Sequence, residues 1–150
     1  MTTTEAYLAT WLEARTRFTN LLNNLKEEAL TKKLIGTQNS AGFLIRHIAD
    51  VELLFAKNVF GAKNIQVHAK TIIAQHDTGE WTQLEPILNY QHLAFDQLKF
   101  IIEQQPDYVW QELITTKEFG TKTKAAALGR IISHTAYHAG QLGLILKYAS

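Results

Sequence analysis

Apolar residues recur at intervals of three and four along most of the chain, and that period marks off four long helical stretches from two segments that lack it. In the first stretch Tyr7, Leu8, Trp11, Leu12, Phe18, Leu21, Leu22 and Leu25 predict an amphipathic helix from about Thr4 to Ala29. Lys32 and Lys33 sit near its end, where cations suit the helix dipole, and Gly36 stands where it can break the pattern. A second helix follows, with Asn39 or Ser40 as N-cap, the stripe Leu44, His47, Val51, Leu54 facing inward, and an end near Gly61. From Ala62 to Trp81 the period fades and Asp77-Thr78-Gly79 marks a turn, so this is a long connection with room for one short helical piece.

The third helix begins between Thr82, which opens the capping-box sequence Thr82-Gln83-Leu84-Glu85, and Pro86, which suits a first turn. It buries Leu84, Ile87, Leu88, Phe95, Leu98, Ile101 and Ile102 and ends near Gln105, ahead of Pro106-Asp107. Between Pro106 and Thr123, Tyr108, Val109, Trp110, Leu113, Ile114, Thr115, Thr116 and Phe119, interrupted by Gly120, favour extended structure and predict a short hairpin or irregular cover. A fourth helix runs from about Thr123 to Tyr148; Gly129, Gly140 and Gly143 inside it cost about 1 kcal/mol each against alanine, so a packing or ligand-access reason is expected for them.

Together these elements predict an all-α fold, a four-helix bundle in a single domain over residues 1–150, with a long helix 2 to helix 3 connection and a short extended segment before helix 4. A hydrophobic content of 46% is enough for a packed core at this length. The formal net charge is +1 with both signs intermixed, which gives no basic field for nucleic acid. Without cysteine there is no disulfide, thiolate ligand or cysteine nucleophile. No run reaches the ~18 apolar residues of a membrane span, and the start carries no signal-peptide pattern, so a cytoplasmic protein is expected.

The chemistry concentrates in histidines. His134 and His138 are four residues apart, hence stacked on one helical face about 6 Å apart along the axis, in a stripe with Ile131, Gln141 and Ile145. An inward-facing ring with unpaired nitrogens costs roughly 1–3 kcal/mol, and a divalent metal would satisfy it; core histidines bonded to carbonyls or to a carboxylate are the alternative. What favours metal is a third inward histidine, His47, on helix 2. His68 and His76 lie in the connection and are read as solvated, and His92 as a surface or boundary residue.

Facing helices of a bundle can converge three imidazoles on one ion, and neutral nitrogen ligands at ~2.0–2.1 Å suit Zn, Ni or Fe as divalent cations while leaving a position open. Bound water would then acidify and act as a nucleophile, or a substrate thiolate would take its place. Asp50, one turn after His47, and Gln141, close after His138, are candidates to orient a ring or the bound water; a surface carboxylate and a packing amide are the alternatives.

A helix-2 histidine followed some ninety residues later by His134-x-x-x-His138-x-Gly140-Gln141 resembles the DinB/YfiT-like superfamily of metal-dependent four-helix-bundle enzymes. The resemblance implies an up-down-down-up bundle, a divalent metal on His47, His134 and His138, and often a homodimer. Its relatives include bacillithiol-type thiol S-transferases, mycothiol-dependent isomerases and hydrolases, and no catalytic base carries over.

Two functions are therefore expected. One is a metal-dependent hydrolase or thiol S-transferase acting on a small-molecule substrate, with a low-molecular-weight thiol as one possibility. The other is a non-catalytic, metal-stabilised bundle serving as a stress-related binding or dimerisation module. A homodimer is also expected because Tyr7, Trp11, Phe18, Tyr108, Trp110 and Phe119 exceed what one small bundle can cover, with the alternative that the cover segment folds back over them.

Overall fold

The computed structural model describes residues 1–150 and contains five helices and one two-stranded sheet. Four helices are long: α1 (Thr3–Thr19), α2 (Ala41–Asn58), α4 (Leu84–Glu103) and α5 (Lys124–Tyr148). Helix α3 (Lys70–Ala74) is a short piece within the α2–α4 connection. None is long and apolar enough to cross a membrane.

The N-termini follow local chemistry. Ser40 accepts from the Phe43 N–H, one of the two caps the sequence proposes for α2, and Thr123 accepts from the Ala126 N–H, which caps α5 at the start its pattern predicts. The capping box is found instead on α1, between Thr2 and Glu5. At α4 the N-cap Gln83 makes no side-chain bond, and the Leu84 N–H donates to Glu27 Oε2, 57 residues earlier, at 3.0 Å. A tertiary partner there does the work of a local cap.

Helix α1 is shorter than its periodicity predicts: it ends at Thr19 and is followed by 3-10 turns at Asn20–Leu22 and Glu27–Thr31, not by helix to Ala29. The break lies at Asn23-Asn24, where Asn24 has φ +63°, a left-handed conformation asparagine tolerates better than most residues. Leu21, Leu22 and Leu25 still pack on the core, which is why their spacing passes for helix. In the segment before α5, strands β1 (Leu113–Thr116) and β2 (Gly120–Thr123) form the expected hairpin, but Asp107–Gln111 is a 3-10 turn and not extended.

That turn carries Val109 and Trp110 into the core, where Trp110 Nε1 donates to Thr4 Oγ1 at 2.8 Å. Trp11, Phe18 and Trp110 are buried within one chain, Tyr7 and Phe119 are half-buried, and Tyr108 alone of the six is exposed. The aromatic surplus therefore resides in the core and does not itself call for a subunit interface. The packing reason expected for the α5 glycines is absent at Gly129 and Gly140, where a Cβ would meet nothing within 4 Å, while a Cβ at Gly143 would make ordinary contact with Leu21 at 3.8 Å. Gly42 has the packing reason instead, since a Cβ there would collide with the Trp81 carbonyl at 2.0 Å.

Helix α2 packs against α4 and α5, and α1 against α5 and α4. The core divides into two large clusters, one around Trp11, Phe55, Leu98, Trp110 and Ile131 and the other around Phe18, Leu44, Ile48, Leu142 and Ile145. A buried ion pair crosses it: Arg15 donates to both Glu52 carboxylate oxygens, at 2.7 and 2.8 Å. His47 lies among residues of the second cluster, between Ile45 and Ile48, and His134 lies between Ile131 of the first and Ala139 of the second, so apolar packing holds both half-buried rings in place.

Candidate metal centre

Helix α2 carries His47, α5 carries His134 and His138, and packing of α2 on α5 brings one nitrogen from each ring within 4.8 Å of the others. His47 Nε2 and His134 Nε2 are 3.1 Å apart. The ring centroids of the three pairs lie 4.6 to 5.0 Å apart. Phe43 stacks almost parallel on His47 at 5.6 Å, and Tyr137 meets His138 edge-on at 5.1 Å, so both rings are held by neighbours. His68, His76 and His92 lie away from this cluster and are exposed, the last within 3.3 Å of Asp96.

The outer nitrogens fix the tautomers. Gln141 Oε1 can only accept, so the contact of 2.7 Å at His138 Nδ1 places the proton there and leaves Nε2 with a lone pair. Thr71 has one hydroxyl proton and gives it to Asp50 Oδ2 at 2.7 Å; its oxygen therefore accepts from His47 Nδ1–H at 3.1 Å. His47 Nε2 thus also carries a lone pair. His134 Nδ1 is buried with no partner at all.

Asp50 is fully buried and anchors this arrangement. Its Oδ1 accepts from Arg46 Nε at 2.8 Å and from the Tyr90 hydroxyl at 2.5 Å, and its Oδ2 from the Thr71 backbone N–H at 3.0 Å as well as the Thr71 hydroxyl. The Arg46 guanidinium lies 3.7 Å from the Tyr90 ring centroid. Asp50 thus reaches His47 through Thr71, whereas Gln141 touches His138 directly. Sequence reading proposed Asp50 and Gln141 and missed Thr71, Arg46 and Tyr90. Thr71 lies in the connection where periodicity fades, and nothing local singles it out.

Burial holds all three imidazoles neutral. Desolvation, with His138 close by and Asp50 opposing, lowers the His47 pKa to about 4. Desolvation followed by the charges of His138, His47 and Arg130 lowers His134 to about 3. His138 is lowered too, by desolvation, against a raising contribution from its bond to Gln141. Burial, and after it the bond to the Asp50 carboxylate, pushes the Tyr90 hydroxyl upward, with Arg46 opposing.

This donor set fits a divalent ion. The rings are neutral at neutral pH, and two of them, His47 and His138, hold Nε2 unprotonated and so able to serve as a ligand atom. Two ligands on one ion at ~2.1 Å are at most ~4.2 Å apart, so the widest separation of 4.8 Å closes with a small ring movement. His47 and His138 also line an open cleft of about 340 Å³ with Asn39, Phe43, Thr71 and Gln75, which gives small molecules access.

Among solved structures, the chain resembles the mycothiol-dependent maleylpyruvate isomerase, with 15% identity and a TM-score of 0.70 over 93% of this chain and 60% of that one. A histidine-to-alanine variant of the same isomerase aligns with 14% identity and a TM-score of 0.67 over 93% and 60% of the two chains. At this identity the likeness shows the fold, and the chain spans 60% of the isomerase's length. No curated protein matches in sequence. The sequence pattern of the DinB superfamily matches residues 10–142, which takes in all three clustered histidines, and the chain belongs to the DinB superfamily.

Proposed function

We propose that this protein is a metal-dependent enzyme of small-molecule chemistry, a hydrolase or thiol S-transferase, with His47, His134 and His138 holding one divalent ion, Zn, Ni or Fe. The observation that carries the reading is the cluster itself: three neutral imidazoles within 4.8 Å, two of them with Nδ1 engaged so that Nε2 is left for a ligand role. Bound there without an anionic ligand, such an ion would supply an undiminished positive charge that polarises a substrate and favours ionisation of a water or thiol. Asp50, through Thr71, and Gln141 hold the His47 and His138 rings in the required tautomer.

The cleft beside His47 and His138 favours catalysis over the alternative of a sealed, purely structural site. The structural likeness to an isomerase that uses mycothiol supports a thiol as one reactant. The reading includes a single domain over residues 1–150, an up-down-down-up helix order, a cytoplasmic setting and a homodimer. For the dimer the supporting surface is now α5, where Tyr137, Leu144 and Tyr148 are 67%, 50% and 65% exposed.

Metal analysis of the purified protein, followed by thiol-transfer and hydrolysis assays with and without the ion, tests the reading. Stoichiometric metal that disappears in the His134→Ala variant, together with metal-dependent turnover, is the expected result. Retention of metal by a variant lacking two of the three histidines overturns it.

A further inference from the structure

The cleft at His47 does not end there. Ile72 and Gln75 line it and also line a second, larger cleft of about 830 Å³, bounded by the far end of α2 and by the tip of the hairpin. We infer that the larger cleft binds the non-reacting arm of the substrate, and that this arm is apolar, an alkyl or aryl group roughly 10–16 Å long. The inference rests on the metal-centre reading and adds the class of molecule the centre works on.

Helix geometry sets the length. Leu54 and Asn58 come seven and eleven residues after His47 on the same face of α2, which is about 10 and 16 Å along the axis. The chemistry of the walls sets the polarity: Phe55 and Val59 are buried at the cleft, Leu54 and Phe119 are half-buried, and Ile72 stays 38% exposed. Apolar surface left open beside a polar reaction centre is what an apolar arm would cover. Charged groups occur only at the hairpin tip, Lys117 and Glu118, and Glu118 is already within 3.4 Å of Arg130. A wholly hydrophilic thiol conjugate leaves this surface unused.

One of the two residues that join the clefts is also conformationally unusual. Gln75 has φ +60°, a left-handed backbone that glutamine rarely adopts, and it ends α3 with its N–H bonded to the Thr71 carbonyl at 3.1 Å. Helix α3 thereby carries Thr71 against His47 at one end and the shared wall, Ile72 and Gln75, at the other.

Hydroxamates test this, because the head group seeks zinc and the tail can be varied. Calorimetric titration of the zinc-loaded full chain with acetohydroxamate and octanohydroxamate is expected to give at least tenfold tighter binding for the longer tail. Leu54→Ala and, separately, Phe119→Ala, which line only the larger cleft, should remove most of that gain while acetohydroxamate affinity stays within twofold of the unaltered protein. Equal affinity for the two hydroxamates, or a gain that survives in whichever variants remain folded, overturns the inference. Failure of acetohydroxamate itself to bind in a zinc-dependent way overturns the metal-centre reading and the inference with it.

Discussion

His47 Nδ1 lies 3.1 Å from Thr71 Oγ1, and that hydroxyl gives its one proton to Asp50 at 2.7 Å. The threonine therefore acts only as an acceptor toward the ring, and the His47 tautomer follows from a carboxylate that never touches it. Thr71→Val removes the acceptor at nearly constant volume. Metal affinity should fall by roughly 10–100-fold, with recovery in Thr71→Ser, as for other groups that orient a ligating histidine. A competition titration with a zinc indicator measures this, and an unchanged affinity in Thr71→Val refutes the orienting role.

Added zinc should stabilise the folded chain. At a hundredfold excess over the dissociation constant the gain is about 2.7 kcal/mol, and it should vanish in His47→Ala and His134→Ala. Thermal unfolding with and without zinc is the measurement. Equal shifts in the variants place the ion elsewhere.

The metal-free protein should lose stability in mildly acidic solution. His47 and His134 have folded pKa values of about 4 and about 3, below the ordinary value of 6.5, and His138 is shifted the same way. Below pH 6.5 the unfolded chain takes up protons that the folded chain refuses. The stabilising contribution is complete above that pH and drains away as pH falls toward 4. Urea midpoints at pH 7 and pH 5 should differ more for the unaltered protein than for His134→Leu, and equal differences would contradict the depressed values.

Arg15 and Glu52 are buried as a bidentate pair, 3% and 0% exposed. Arg15→Met strands a buried carboxylate and should cost roughly 3–5 kcal/mol, whereas replacing both partners by apolar residues should cost much less. Chemical denaturation of the two single variants and the double variant gives the comparison. A near-additive double variant would show that the pair does not couple.

Gly140 faces open space inside α5, so Gly140→Ala should stabilise an isolated chain by about 1 kcal/mol. Light scattering decides the assembly proposed for this face: a mass near 17.0 kDa across micromolar concentrations means a monomer. If the mass is twice that and Gly140→Ala weakens the dimer, the exposed α5 face is the interface.

The sequence by itself determined what local chemistry controls. Period-three-and-four spacing located α2, α4 and α5, Ser40 marked the start of α2 through a hydroxyl cap, and the i, i+4 relation put His134 and His138 on one face with His47 on another inward stripe. Tertiary structure decided whatever depends on separations that the chain's local rules do not encode. Leu21, Leu22 and Leu25 keep helical spacing across a non-helical turn because burial rewards position, not conformation. Trp110 looked like interface and is core, because the turn at Asp107–Gln111 folds it back onto Thr4, 106 residues away. The orienting Thr71, 24 residues from His47 in a segment without periodicity, becomes visible only when α3 packs on α2, since hydrogen bonds act over ångströms in space whatever the distance along the chain.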